Sequence, residues 1–402
     1  MLLSTLITYT TCVKSLKENP AKILRPKAPK QIKQLALEKT RLWNKLGFNL
    51  QWNLRDIFRS KTRSLMAIIG VMGCTTLLLT ALGLLDSMND MFSWQYNDLY
   101  KYQSKLLLND NITQTQIDKL IDTYNGSAIQ ESSIEIKHDD IVKSTSLTVT
   151  DDNKLIKYQD KKRNYITKDN SKIAISQKLA EILNVEAGDK IVWHIFGDDT
   201  WHTDIIGTVY STPIAQGITL SKQYYENLNY KMEPTSIITK ESINKDKLTG
   251  VKKISTTSEL MENAKTVMDT SMIMVYALIT LAVLLALVVL YNLGILSFTE
   301  KIREYSTLKV LGFKSKKIRN LLITQNIILT IVAILIGIPS GYYLLKYLST
   351  TLSDNLLMHV IISPPSLLIS LLGTFIVSIL VNFMFSKKIK TIDMVSSLKG
   401  VE

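Results

Sequence analysis

Four long apolar runs constrain this chain more than any other feature of its sequence. None of them contains an Asp, Glu, Lys, Arg or His residue, and they cover residues 64–85, 273–296, 321–345 and 366–385. At ~1.5 Å of rise per residue, a helix of that length crosses a hydrocarbon layer of roughly 30 Å. The sequence therefore predicts a multi-pass membrane protein with four transmembrane α-helices.

The basic residues are distributed unevenly around these runs, and their distribution predicts the orientation of the chain. Segments 1–63, 297–320 and 386–402 together contain just over half of the 48 Lys and Arg residues but only one fifth of the 35 Asp and Glu residues. Basic flanks of membrane helices stay in the cytoplasm. We therefore expect both termini to be cytoplasmic, with 386–402 as a cytoplasmic tail. The net charge of +13 then reflects membrane topology and does not indicate a nucleic acid partner.

The two ends of the chain share a weak pattern. Residues 1–25 contain an apolar run, then a basic step, then a polar residue followed five positions later by Leu and a basic residue. The fourth apolar run followed by residues 386–402 repeats this order. The repeat predicts that residues 1–25 are the tail of a preceding membrane module. Chance similarity between two Lys-rich tails is the alternative.

Residues 26–63 combine a basic linker with a segment in which aromatic and basic residues interleave, for example Trp52 and Arg55. This mixture is typical of a helix that lies in the cytoplasmic interface of the membrane. We therefore expect lipid to contact this segment, and we interpret its role as positional. Recognition of a lipid headgroup is the alternative.

A long insert, residues 86–271, separates the first and second runs, and the charge distribution places it outside the cell. Alternating or apolar stretches predict strands at 104–108, 133–137, 146–150, 190–196 and 202–210. Helical periodicity predicts helices at 113–124, 176–183 and 221–228. Neither cysteine of the chain lies in the insert. We therefore expect a large mixed α/β extracellular domain without disulfides, with extended helical stalks to the flanking runs.

One cluster of the insert raises a metal hypothesis. His194 and His202 lie on either side of a turn signal at Gly197. A three-residue hairpin loop would pair the two histidines on one face, whereas a two-residue loop would pair His194 with Thr203. Two histidines without a third ligand make a poor zinc site. We therefore predict no metal site here and interpret the cluster as aromatic residues on a half-exposed strand.

The sequence contains none of the common signatures of catalysis. It has no Gly-x-x-x-x-Gly-Lys-Ser/Thr phosphate loop, no His-Glu-x-x-His motif and no Gly-x-Ser-x-Gly motif. No ionisable side chain lies within the four runs, although an ion-coupled carrier or an intramembrane protease needs such groups at membrane depth. We therefore expect that the chain is not an enzyme and holds no cofactor.

The most specific segment is the loop 299–319 between the second and third runs. Four apolar residues recur at steps of three and form one side of a predicted helix: Ile302, Tyr305, Leu308 and Leu311. Gly312 then allows the left-handed conformation that ends a helix, and Ser315 is suited to cap the next one. We interpret this surface as a docking site for a partner. A solvated loop that only marks topology is the alternative.

The residue pattern of this loop resembles that of a known family. It reads Glu300-Lys-x-Arg303-Glu304 and then Leu308-Lys309-x-Leu-Gly312, and the third run contains the break Gly337-Ile-Pro339-Ser-Gly341. With the four-run plan and the long insert, this is similar to the FtsX-like permeases. These are the membrane subunits of ABC systems that export macrolides, release lipoproteins, resist antimicrobial peptides or activate cell-wall hydrolases.

The resemblance implies a protein of the bacterial cell membrane that pairs with a second permease module or a second copy of itself. It also implies a separate cytoplasmic ATP-binding subunit, which binds the loop through Glu300, Arg303, Glu304, Leu308, Lys309, Gly312 and Phe313. Gly337, Pro339 and Gly341 are expected to kink or pack the third transmembrane helix. The basic linker after residue 25 is similar to that of two-module family members, so we expect this chain to correspond to a C-terminal module.

The function implied by the resemblance is transmission of ATP-driven motion to the extracellular domain, for export or for mechanical work on a hydrophobic or peptide substrate. A non-transporting scaffold that regulates a cell-wall hydrolase is one alternative. A membrane enzyme that uses His194 and His202 is the other.

Overall fold

The structure, a computed structural model, describes residues 9, 38, 43–152, 154–243, 248–351 and 354–390. The chain divides into two units between Lys61 and Thr62. The predicted module tail at 1–25, apart from residue 9, most of the basic linker, and the end of the C-terminal tail lie outside the described residues.

The smaller unit is described mainly by helix α1, Phe48–Arg59, which follows a short 3-10 turn at Trp43–Lys45. Gln51 ties the helix to that turn, because its Nε2 donates to the carbonyl oxygens of Trp43 at 2.8 Å and of Leu46 at 3.0 Å. Several apolar side chains of α1 are exposed, namely Phe48, Leu50, Trp52 and Phe58. Their contact with lipid stays a prediction.

The described residues of the larger unit form seven helices. They are α2 (Lys61–Ser93), α3 (Gln114–Tyr124), α4 (Gln177–Leu183), α5 (Lys222–Asn227), α6 (Thr257–Val310), α7 (Ser315–Thr351) and α8 (Pro364–Lys390). A π-helical turn, Trp94–Leu99, extends α2. The sheet domain, residues 104–256, lies between α2 and α6 in the chain.

Helices α2, α6, α7 and α8 each contain one of the four apolar runs. Among the described residues, three helical stretches are long and apolar enough to cross a membrane: Lys61–Leu99, Lys316–Thr351 and Pro364–Val381. The second run is represented by a shorter apolar stretch, Val275–Val289, within α6. The structure thus has three candidate spans, and the fourth stays a prediction.

The long helices pack around α2. Cys74 and Leu78 of α2 form a buried cluster with Ala282 and Ala286 of α6 and with Val377 of α8. The helices are close where glycine removes the side chain: a Cβ built at Gly70 would lie 2.3 Å from Cγ1 of Val289. Small residues of this kind allow helix backbones to approach closely, which is the main source of packing between helices in lipid.

The sheet domain contains the following strands within the described residues: β1 (Ser104–Leu108), β2 (Ser127–His138), β3 (Ile141–Val149), β4 (Tyr158–Gln159), β5 (Tyr165–Ile166), β6 (Ile173–Ser176), β7 (Lys190–Ile195), β8 (His202–Tyr210), β9 (Gly217–Leu220), β10 (Ser236–Thr239) and β11 (Val251–Thr256). The expectation of a large domain with both helices and strands is confirmed. Each of the five predicted strands overlaps an observed one, and the three predicted helices match α3, α4 and α5.

The strands of the main sheet close on themselves. Their order is β11-β1-β10-β2-β3-β9-β6-β8-β7, and β7 pairs again with β2. Strands β2, β3, β9, β6, β8 and β7 therefore form a closed ring, while the start of β2 continues into a side sheet through β10, β1 and β11. The pairs β3–β9 and β6–β8 are parallel, and the other pairs in the ring are antiparallel.

The interior of the ring is the main core of the domain. It is filled by large apolar side chains that are at most 1% exposed: Ile134, Ile136, Leu147, Val149, Ile173, Ile175, Leu183, Ile191, Trp193, Ile206, Ile218 and Leu220. Most of them are β-branched or aromatic residues of the strands, which pack well on a pleated surface. Burial of this set from water is the main stabilisation of the domain.

The connector between α7 and α8, described from residue 354 to 363, runs along the sheet domain and the end of α2. Its Leu357 N–H donates to the carbonyl oxygen of Pro213 at 2.9 Å. On the other side, the N–H of Ser363 donates to Asp86 Oδ2 at 2.8 Å and that of Ile361 to Ser87 Oγ at 3.0 Å. The sheet domain and α2 are therefore both tied to the same extended segment.

Candidate functional site

The turn between α6 and α7 is the site that the sequence singles out for docking. Helix α6 ends at Val310, and α7 begins at Ser315. Gly312 adopts φ = +87°, the left-handed conformation expected for the residue that ends a helix. The predicted docking loop therefore consists of two helix ends joined by the four-residue turn 311–314.

The predicted cap at Ser315 is wrong by one residue. The carbonyl oxygen of Lys314 accepts from the N–H groups of Lys317 at 2.8 Å and Ile318 at 3.4 Å, so Lys314 occupies the capping position and Ser315 begins the helix.

The side chains of the turn form an apolar tip with a basic rim. Val310 is 62% exposed and Leu311 is 70% exposed. Phe313 is half-buried, and Lys317 Nζ lies 5.6 Å from the centre of its ring. The tip borders a shallow open depression lined by Leu311, Gly312, Phe313, Lys314, Lys316, Lys317 and Asn320. Such a surface can bind a groove that is apolar at its centre and acidic at its edge.

The remaining candidate docking residues lie on the last three turns of α6: Glu300, Arg303, Glu304, Leu308 and Lys309. The sequence predicts a separate surface helix here, but the structure continues the same helix from Thr257 to Val310. The sequence between these two residues contains no proline, which would break or kink a helix. This absence is the feature of the sequence that indicates one continuous helix. The docking residues are thus on the same rigid element as the second apolar run.

The other end of α6 is fixed to the sheet domain. Strand β11 ends at Thr256, which caps α6: its Oγ1 accepts from the N–H of Glu259, and Glu259 Oε2 accepts from the N–H of Thr256, both at 3.1 Å. The next residue, Thr257, donates from Oγ1 to the carbonyl oxygen of Tyr102 at 2.6 Å. At ~1.5 Å per residue, α6 extends roughly 80 Å from this cap to the turn.

Gly337, Pro339 and Gly341 lie inside α7, which continues through the proline. A Cβ at Gly337 would lie 2.8 Å from Thr75 Cβ, and one at Gly341 would lie 2.9 Å from Leu79 Cδ2. The hydroxyls of Thr76 and Thr80 donate to the carbonyl oxygens of Gly337 at 3.4 Å and Gly341 at 3.3 Å. These contacts hold α2 and α7 together, and sequence reasoning missed the threonines because their partners lie far away in the chain.

The structure does not bring His194 and His202 together. In the β7–β8 hairpin, His202 pairs with Trp193, so neither of the two predicted registers occurs and the two histidines lie on opposite faces. His202 Nε2 hydrogen-bonds Tyr230 Oη at 2.9 Å. Among the described residues, no three His, Cys, Asp or Glu side chains form a group that could hold a metal ion.

His194 contacts residues of its own hairpin turn. Its ring lies 4.2 Å from that of Trp201, between centres, and Nδ1 lies 2.8 Å from the carbonyl oxygen of Asp198. That oxygen, together with the Glu135 carboxylate at 3.4 Å from Nε2, raises the pKa of His194 above its ordinary value. Hydrogen bonds from Tyr230 and Thr200 lower the pKa of Asp198 to about 2. These contacts stabilise the end of the hairpin.

The comparisons with known proteins identify the C-terminal part of the chain. Residues 276–394 match the family described as FtsX-like permease C-terminal. This region begins within α6 and includes the α6–α7 turn, α7 and α8. It therefore contains the docking residues of the turn and of α6, as well as Gly337, Pro339 and Gly341. A search of curated proteins found no match to the chain. The resemblance to the FtsX-like permeases is therefore confirmed over residues 276–394, which match the C-terminal domain of that family.

Proposed function

We propose that this chain is the permease subunit of an ABC system and carries motion from a separate ATP-hydrolysing subunit to the sheet domain. FtsX-like permeases generally act with a cytoplasmic ATPase, so the matched domain supports a permease-type component of an ABC transporter. The observation that carries the mechanism is helix α6, which begins at the cap on β11 and ends at the turn within the matched region.

The proposed orientation has four spans, with the sheet domain outside the cell and the α6–α7 turn in the cytoplasm. Support comes from the basic residues, which are concentrated at the turn and at the ends of the chain. The fourth span is the second apolar run, 273–296, within α6. In this orientation, the exposed Val310 and Leu311 face the cytoplasm, where an ATPase would bind.

The proposed mechanism is mechanical. Hydrolysis in the ATPase moves the turns of two neighbouring permease modules, either a second copy of this chain or a different module. Because α6 is a continuous helix, displacement of the turn tilts its other end. That end is capped by Thr256 of β11, and Thr257 bonds to Tyr102 and Gln103 just before β1. The sheet domain then changes its grip on a hydrophobic or peptide substrate outside the cell.

The test uses Gly312, because its backbone conformation is the local feature on which the orientation of the turn depends. No described atom lies within 4 Å of a Cβ built there, so the expected effect of Gly312→Val comes from the strain of the left-handed backbone. That strain is on the order of 1 kcal/mol or more. Asn tolerates this conformation, which makes Gly312→Asn the matched control. Glu304→Lys reverses a charge on the last turns of α6 without altering any apolar run.

We expect Gly312→Val and Glu304→Lys to insert normally but to copurify severalfold less of the ATPase from native membranes than the parent and Gly312→Asn do. The purified permease alone should not hydrolyse ATP, since it lacks a phosphate loop. Normal ATPase association and hydrolysis in both variants would refute the docking role of the turn.

A further inference from the structure

A cluster of four side chains joins the sheet domain to the end of α2 and to the α7–α8 connector. We call Asp90, Trp94, Arg163 and His359 the Arg163 cluster. Arg163 lies in the turn between β4 and β5, and its Nη1 donates to Asp90 Oδ1 at 3.0 Å while Nη2 donates to Asp90 Oδ2. This bidentate pair has the geometry of the stronger charge-assisted hydrogen bonds.

The same guanidinium also contacts the two aromatic members of the cluster. Its central carbon lies 4.3 Å from the centre of a Trp94 ring, and Nη2 lies 3.5 Å from His359 Nδ1. The rings of Trp94 and His359 are 5.1 Å apart between centres. Trp94 is only 1% exposed, and its Nε1 donates to Gln159 Oε1 of β4. One arginine therefore joins three separate segments of the chain.

The backbone of the β4–β5 turn is strained in a way that presents this arginine. Arg163 adopts φ = +64°, a left-handed conformation that is unfavourable for a residue with a Cβ. Asp160 maintains the turn, because its Oδ1 accepts from the N–H groups of Lys162 and Asn164, both at 2.8 Å. The contacts of the Arg163 side chain in the cluster offset this backbone strain. Strained backbone of this kind is typical of places where a side chain must be held in one position.

The charges around His359 come from each of the elements that face it. Arg163 and the nearby Lys161 of the β4–β5 turn are cationic, whereas Asp90 of α2 and Glu181 of α4 are anionic. Burial, and next the Arg163 charge, lower the pKa of His359 below its ordinary value. Neutral His359 can accept a hydrogen bond at Nδ1 from Arg163. Protonated His359 instead places a second cation against the guanidinium.

We propose that the Arg163 cluster is a releasable latch that holds the sheet domain against the outer end of α2 and the connector, and that protonation of His359 opens it. The latch goes beyond the proposed ABC function and does not depend on the identity of the ATPase. Release loosens the attachment of the sheet domain to α2 and the connector, which keeps the bonds of Gln95 to Thr212 and of Leu357 to Pro213, and the domain can then change its angle to the membrane helices.

The direction of the pH effect follows from the lowered pKa of His359 in the latched state. A released, solvated histidine has a pKa near 6.5, so the released state binds protons more readily. The latch is therefore fully stabilised above about pH 6.5 and loses stability as the pH falls below that value. The ratio of released to latched molecules rises by at most about tenfold per pH unit, until His359 is also protonated in the latched state.

The experiment measures the distance between the sheet domain and α2 in the purified full-length chain. Spin labels are placed on Asn89→Cys of α2 and Lys222→Cys of α5, both exposed positions, in a Cys12→Ser, Cys74→Ala background. Pulsed electron paramagnetic resonance then gives the distance distribution at pH 7.5 and at pH 5.5. This readout needs no ATPase, so it succeeds or fails independently of the docking test at Gly312.

We expect one narrow distribution at pH 7.5 and a second, distinct population at pH 5.5 that is increased severalfold. His359→Gln, which keeps a neutral acceptor, should abolish the increase, and Arg163→Gln should show the second population at both pH values. His138→Gln is the matched control, since His138 lies at the end of β2 and should leave the response intact. A distance distribution that does not change between the two pH values would overturn the proposal. A pH response of the same size in His359→Gln would also overturn it.

Discussion

Asp204 supports two aromatic residues of the sheet domain at once, the buried Trp193 and the partly buried Tyr224. Its Oδ2 accepts from Trp193 Nε1 at 2.8 Å, and its Oδ1 accepts from Tyr224 Oη at 2.6 Å. Burial and the neighbouring carboxylate raise the pKa of Tyr224, so this tyrosine remains a hydrogen-bond donor at neutral pH. The carboxylate thereby satisfies an indole N–H that no water can reach, because Trp193 is 0% exposed.

We predict that Asp204→Ala destabilises the sheet domain by about 1–3 kcal/mol, the usual cost of leaving a buried donor without its acceptor. The measurement is urea denaturation of the full chain, followed by tryptophan fluorescence. Asp199→Ala in the neighbouring hairpin turn is the control, because Asp199 is exposed and its loss should change stability by at most about 0.5 kcal/mol. Equal denaturation midpoints for the two variants would contradict this account.

Helices α2 and α7 cross where α7 has no side chain at two positions one helical turn apart. The close contacts at Gly337 and Gly341 are made by residues of α2, including two backbone carbonyls, Met72 O and Thr76 O, each 3.3 Å from the point that a Cβ would occupy. Backbone cannot move aside as a flexible side chain can. The glycines therefore set the distance between the two helices, and a sequence pattern of Gly-x-x-x-Gly indicates such a contact without naming its partner.

We predict opposite effects for two Gly→Ala changes in this helix pair. In a helix interior, alanine is more favourable than glycine by about 1 kcal/mol. Gly73→Ala places its new Cβ where no described atom lies within 4 Å, so it should leave the melting temperature unchanged or raise it. Gly337→Ala should lower the melting temperature in detergent, because overpacking costs about 1–3 kcal/mol and exceeds that gain. A rise in melting temperature for Gly337→Ala would show that the two helices are not in close contact at this crossing.

Prediction of the strands depended on whether their burial pattern alternates. β1 shows an alternating pattern of buried and less buried residues, and the sequence predicts it with the observed bounds. β6, β9 and β10 are four-residue strands buried at every position, and sequence reasoning missed all three. A short strand that is covered on both faces has no period of two, so its sequence cannot be distinguished from a buried turn of helix.

Over the full length of the chain, the sheet domain and the α6–α7 turn lie at opposite ends of α6. The domain begins and ends beside the same strand: β1 pairs with β11, and α6 follows β11 directly. Motion of α6 is therefore applied at the edge of the sheet, at the strand pair that also receives the chain from α2.

We predict that the two ends of α6 lie on opposite sides of the membrane. In the Cys12→Ser, Cys74→Ala background, Lys222→Cys should react with an impermeant thiol reagent on intact cells, because that side chain is 52% exposed. Lys316→Cys, also exposed, should react only after the cells are opened. Labelling of Lys316→Cys on intact cells would contradict the proposed orientation.

The sequence by itself determined the features that depend on neighbouring residues. The apolar runs, the charge asymmetry and the helix end at Gly312 follow from transfer free energies and local backbone preferences, which a short window of residues contains. The β7–β8 register and the closure of the ring were decided only by tertiary structure. So was the Arg163 cluster, whose members Asp90 and His359 lie 73 and 196 residues from Arg163 in the chain. Packing selects among many such distant pairings, and no local pattern records which one is chosen.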